Sequence, residues 1–150
     1  MTARRLTLDR FLPYRLSVAS NAVSTRISNA YRRRFGLKIP EWRLVTILAE
    51  SDRITPALLG EKTRMDKITV SRAASALIER GLVATAANPG DGRSHLLSLT
   101  DDGRALYAEI VPMALATEAE LFKDVTLAER QMLDRLLRRL ERAAMGGESV

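Results

Sequence analysis

A mainly α-helical chain carrying one small β-hairpin, α+β in class, is what the sequence predicts, and three observations lead there. Apolar residues recur at three- and four-residue steps through most of its length, only two short runs look like strands, and those two runs flank a single turn rich in Pro, Gly and Asp. With 150 residues, 46% hydrophobic and 28% charged, the chain can bury one ordinary core, so one domain over residues 1–150 is expected.

The elements follow in order. Leu12, Leu16, Ala19, Val23, Ile27, Ala30 and Tyr31 predict a long amphipathic helix from about Leu12 to Phe35, with Pro13 in its first turn and Gly36 as its cap. Pro40 opens a second, "PEWRLVTILAES", with Trp42, Val45, Leu48 and Ala49 on one face. Thr55 before Pro56 is a cap-then-first-turn signal for the short helix "PALLGEKT", where Gly60 suggests that another helix passes close. "DKITVSRAASALIER" is capped by Asp66, stopped at Gly81, and striped by Val70, Ala73, Ala74, Leu77 and Ile78. The strands are "LVATAA" and "HLLSLT", joined by "NPGDGRS". A helix capped by Thr100 and bent near Pro112 comes next. The last helix opens with a capping box, Thr126 and Glu129, and carries Leu133, Leu136, Leu137 and Leu140 on one stripe.

Composition excludes several chemistries. With no cysteine and a single histidine, His95, there is no disulfide framework, thiolate or imidazole metal site, or thiol nucleophile. No convergent acid, base or nucleophile is evident, so the chain is read as not an enzyme and no cofactor is expected. No run of about 18 apolar residues exists and the N-terminus lacks the pattern of a secretory signal, so a cytoplasmic location without membrane contact is expected. The net charge of +6 points to an anionic partner, yet residues 1–43 hold 10 Lys and Arg against 2 Asp and Glu, while residues 53–104 hold 8 against 6.

Opposite the apolar stripe of the fourth helix stand Ile68, Arg72, Ser75 and Glu79, flanked by Thr69 and Ser71. Hydroxyls, one apolar group and a bidentate cation are what reading base edges in a major groove requires, with Lys67 in the first turn placed for phosphate. A solvated helix face would show the same residues. At the hairpin tip Arg93 is an extended cation suited to a narrow, electronegative minor groove, between Gly90 and Gly92 on one side and the strand "HLLSLT" on the other.

Short helix, tight turn, helix and two-strand hairpin, within helical flanks, form a winged helix-turn-helix. "ITVSRAASALIERGLV" followed by "NPGDGRSHLLSLTDDG" resembles the multiple-antibiotic-resistance regulator (MarR) family over Thr55 to Gly103. The paired signature is specific: Leu-x-x-x-Gly-Leu-Val closes the helix, and an Asp-x-Arg tip is followed six residues after Arg93 by Leu99-Thr100. One departure is Thr85, where many members carry Arg, which removes a contact expected there. The resemblance implies a ligand-responsive regulator, most often a repressor, binding double-stranded DNA at a pseudo-palindromic operator as a homodimer. It implies a winged part at 40–103 and dimerisation helices at 1–39 and 104–150. It also implies that Asp91 holds the wing, and that an effector site lies between the helices and the winged part.

For that effector the basic excess suggests a small anion, an aromatic acid or its coenzyme A thioester, met by Tyr14, Arg15, Asn21 and Trp42. The alternative is a winged-helix protein-interaction module without sequence-specific DNA binding, in which the charge run is a solvated face and the flanking helices complete a monomeric core.

Overall fold

The computed structural model describes residues 5–146 and shows six α-helices, one short 3-10 helix (Leu8–Arg10) and one hairpin among them. The helices are α1 (Leu12–Phe35), α2 (Ile39–Glu50), α3 (Pro56–Thr63), α4 (Lys67–Glu79), α5 (Asp101–Leu121) and α6 (Leu127–Ala144). Strands β1 (Val83–Ala87) and β2 (His95–Leu99) pair antiparallel between α4 and α5, Val83 opposite Leu99 and Ala87 opposite His95. The chain divides into two compact units at Thr117/Glu118. No described helix is long and apolar enough to cross a membrane.

In the first unit the core is built from Leu37, Leu44, Val45, Leu48, Leu59, Leu77, Leu97 and Ile110, drawn from α2, α3, α4, β2, α5 and the α1–α2 link. The buried face of α2 holds Glu41, Leu44, Val45 and Leu48, rotated roughly 60° from the expected one at 100° per residue. Trp42 moves to the edge instead, where its ring lies 5.3 Å from Tyr31 and 5.9 Å from Tyr107. Glu41 is buried because it caps its own helix, its Oε2 accepting the Lys38 N–H at 2.9 Å. On α4, Val70, Ala73, Ala74 and Leu77 are buried as expected, but Ile78 is exposed, since it lies roughly 90° from the centre of that arc. Only Ser28 and Tyr31 of α1 are buried, and its first half faces outward.

The sheet has a third contributor the sequence did not announce: Ile54 exchanges backbone hydrogen bonds with Leu97 at 3.1 and 2.8 Å. Gly60 is not forced by a close helix approach, since a Cβ there would sit 3.4 Å from the Met65 carbonyl and 3.8 Å from Val70, which is contact without clash. Gly103 is forced: a Cβ would lie 2.1 Å from the Leu82 carbonyl oxygen. α5 runs through Pro112 as one helix.

In the second unit α6 opens with the expected box, Thr126 N–H donating to Glu129 at 2.8 Å and Glu129 N–H to the Thr126 hydroxyl at 3.2 Å. Arg130 caps the preceding turn, donating to the Val125 carbonyl at 3.1 Å and stacking over Phe122. No residue of α6 is buried, and Leu127, Met132, Leu133, Leu136 and Leu140 stand exposed along it.

Candidate nucleic-acid interface

The candidate reader helix α4 is held at both ends. At its start Asp66 accepts the Thr69 N–H at 2.8 Å and the Thr69 hydroxyl at 2.7 Å. The Thr69 backbone N–H first, and its hydroxyl second, hold the Asp66 carboxyl below the usual carboxylate range. At its end Gly81 takes the left-handed conformation at φ 71°, and two bonds close the turn: Gly81 N–H to the Ile78 carbonyl at 2.9 Å and Leu82 N–H to the Leu77 carbonyl at 3.0 Å. Arg80 reaches across to cap α1, donating to the Phe35 carbonyl at 2.7 Å.

Between these anchors the outward row is free. Lys67, Ile68, Ser71, Arg72 and Ser75 are all exposed, Ile68 at 64%. Their side chains make no hydrogen bond or ion pair among the described residues, so the row offers two cations, two hydroxyls and an apolar group to whatever docks there. Thr69 differs: its O–H is spent on Asp66, which leaves its lone pairs and methyl group to offer.

The wing tip is cross-braced by side chains. Asn88 Oδ1 accepts the Gly90 N–H at 3.1 Å, Asn88 Nδ2 donates to Ser94 Oγ at 2.7 Å, and Asp91 Oδ1 accepts the Arg93 N–H at 3.0 Å. The Asp91 carbonyl also receives the Ser94 N–H at 3.2 Å. Neither Gly90 nor Gly92 is left-handed, and a Cβ would fit at either, so Asn88, Asp91 and Ser94 shape the turn while the glycines only keep it narrow. The Arg93 side chain stands exposed at the tip, and His95 and Thr85 are exposed on the strands.

Joining wing to helix, Leu82 offers its carbonyl to the Thr100 N–H at 3.1 Å, while the Thr100 hydroxyl donates to the Gly81 carbonyl at 2.7 Å and accepts the Gly103 N–H at 3.1 Å. The ends of α4, β2 and the start of α5 therefore share one joint.

A cleft of about 370 Å³ is lined by Ile27 and Tyr31 of α1, Trp42, Arg43 and Thr46 of α2, and Lys62 and Thr63 of α3, among others. Burial raises the Tyr31 phenol above its usual value, against the lowering pull of Arg43 and Arg32, so it is a neutral donor at neutral pH. Of the residues expected to hold an effector, Trp42 lines this cleft. Tyr14, Arg15 and Asn21 lie earlier on α1, exposed, and are not among its walls. Sequence reasoning missed Tyr31, Arg43 and Lys62, which three separate helices bring together with no shared spacing to betray them.

The sequence profile of the MarR family matches residues 35–94, spanning α2 to the wing. The chain is 30% identical over 100 residues to the uncharacterized HTH-type transcriptional regulator YxaD of Bacillus subtilis, covering 65% of this chain and 70% of that one. It is 31% identical to a MarR family transcriptional regulator from Silicibacter pomeroyi, with TM-score 0.76 over 91% of this chain and 99% of the other. It is 25% identical to BpsR of Bordetella bronchiseptica, with TM-score 0.85 over 92% and 98%; DNA binding by BpsR is regulated by 6-hydroxynicotinic acid. With a helix-turn-helix, a braced wing and these likenesses together, the chain belongs to the MarR family of DNA-binding, winged helix-turn-helix transcriptional regulators.

Proposed function

We propose that the chain acts as a homodimeric repressor on a pseudo-palindromic operator, each copy placing α4 in a major groove and Arg93 in the adjacent minor groove, and that a small anionic effector releases it. The observation that carries the reading is the free row Ile68, Ser71, Arg72 and Ser75 on a helix fixed at both ends, beside a tip where Asp91 holds the backbone N–H of an exposed Arg93. In this assignment Arg72 reads a base, Ser71, Ser75 and Thr69 contribute lone pairs or hydroxyl donors, Ile68 meets a thymine methyl, and Lys67 meets phosphate. Gly90 and Gly92 keep the wing narrow enough to enter the groove. Dimerisation is supported by the apolar residues left exposed on the first half of α1 and on α6, which one copy does not cover.

For the effector, the cleft beside Trp42 supports an aromatic acid or its thioester: two aromatic rings form a wall, and Arg43 and Lys62 take the cationic part first assigned to Arg15. Tyr14 and Asn21 then belong to the exposed surface of α1. BpsR, regulated by an aromatic acid, favours this class.

The test is binding to a panel of single-base operator variants over a range of salt. Wild type should show a steep log–log salt slope of about −0.9 for each phosphate neutralised. Arg72→Ala should flatten preference at one symmetric pair of positions at a cost of about 1–3 kcal/mol per bidentate contact, whereas Lys67→Ala should weaken all sequences alike. A salt-insensitive chain would instead fit a protein-interaction module.

A further inference from the structure

Arg64 is the one non-glycine residue with positive φ among the described residues, at φ 59° and ψ 22°. It occupies the turn between α3 and α4, where a left-handed residue ends the first helix and redirects the chain into the second. Any residue with a Cβ is disfavoured in that conformation, and glycine would hold it without strain. A strained backbone under a long cation is a choice of residue that folding alone does not explain.

Nor does an intramolecular contact explain it. Arg64 is exposed and makes no ion pair or side-chain hydrogen bond among the described residues. The nearest carboxylate along the chain, Asp66, has both oxygens engaged by Thr69, one with its N–H and one with its hydroxyl. Glu61, one turn back on α3, forms no ion pair either. The guanidinium is therefore left to solvent three residues before Lys67, at the end of α4 that enters the groove first. A side chain flanking that entry meets the sugar–phosphate strand, not base edges.

We propose that Arg64 is a phosphate-contacting residue, held at the mouth of the reader helix by its left-handed backbone and closing with Lys67 on the same DNA strand. The proposal rests on the DNA-binding reading above. It makes the turn itself part of the interface, adding affinity that is blind to sequence. Arg64 contributes nothing to base choice, which stays with Arg72 and its neighbours.

The experiment compares wild type, Arg64→Gly, Arg64→Asn and Arg64→Lys on operator and unrelated duplexes across a salt series, with urea unfolding of each. Gly and Asn both accept the left-handed turn, and only Gly loosens it, so a loss shared by the two reports the charge and not the flexibility. Both should weaken operator and unrelated duplex by the same factor. Both should also make the log–log salt slope shallower by about 0.9 for each chain bound, and should unfold at no lower urea concentration than wild type. Arg64→Lys should retain the wild-type slope. Wild-type affinity and slope in both the Gly and Asn variants would overturn the proposal, as would a loss confined to the operator or to Gly alone. Wild-type protein that binds no duplex in a salt-dependent way would overturn the DNA-binding reading itself, a result visible before any variant is measured.

Discussion

Replacing Gly103 by alanine isolates one packing contact. The new Cβ would sit 2.1 Å from the Leu82 carbonyl oxygen, 3.1 Å from its carbon and 3.1 Å from a Leu99 methyl. The carbonyl cannot swing aside freely, because it accepts the Thr100 N–H and belongs to the residue that closes α4. Relief requires the start of α5 to move off the hairpin by about 1 Å, and overpacking on that scale costs about 1–3 kcal/mol. Alanine recovers about 0.5–1 kcal/mol of helix preference over glycine, so a net loss of about 2 kcal/mol is expected from the upper part of that range. A loss of that size lowers Tm by roughly 4–8 °C in a chain of this length. Urea unfolding followed by circular dichroism measures it, with Gly60→Ala as the control: there the methyl reaches only ordinary contact, and stability should hold or rise by up to about 1 kcal/mol. If Gly103→Ala is as stable as wild type, the joint between Leu82 and α5 is not the tight contact described, and the reasoning fails.

Other outcomes follow from the same geometry. Arg93→Ala should weaken operator binding most where A·T pairs lie under the wing, while unfolding stability stays within about 0.5 kcal/mol; equal losses on A·T and G·C sites would make Arg93 a phosphate contact. Leu136→Glu on the exposed stripe of α6 should convert a dimer at micromolar concentration into monomer by sedimentation, and a persisting dimer would remove α6 from the interface. The Thr69 amide resonance should follow Asp66 ionisation with a midpoint below the ordinary aspartate value of about 3.9, because the folded carboxyl is depressed. The cap is therefore complete above the ordinary range and lost as pH falls through the lower folded value. A midpoint at or above 3.9 would contradict the double hydrogen bond, and Asp66→Asn should show no such titration.

Local signals made much of this fold legible before any coordinates. Asp66 and Gly81 bracket α4 because a cap and a left-handed stop are single-residue decisions, and Thr126 with Glu129 starts α6 for the same reason. Rotation about a helix axis is less legible. The faces of α2 and α4 differ from expectation at Trp42 and Ile78, since both are apolar and period alone does not say which edge of a stripe meets the core. Ile54 pairs with Leu97 as a lone bridge, too short to have a period. The candidate interface residues share one helix and one turn and so stand together in the sequence, whereas the cleft draws Tyr31, Arg43 and Lys62 from three elements, and only folding brings them together.

The joint at Leu82 also bears on how such a molecule can be controlled. One carbonyl, one hydroxyl and one missing side chain tie the end of α4, the base of the wing and the start of α5 into a single corner. The offset between α4 and the wing, major-groove reader and minor-groove probe under the proposed function, is thus set within a chain, as in a caliper whose jaw is one solid piece. Under the dimeric reading, an effector then has little to gain by deforming one jaw. It acts on the gap between two jaws, so half-site sequence and half-site spacing become separately adjustable properties of the operator.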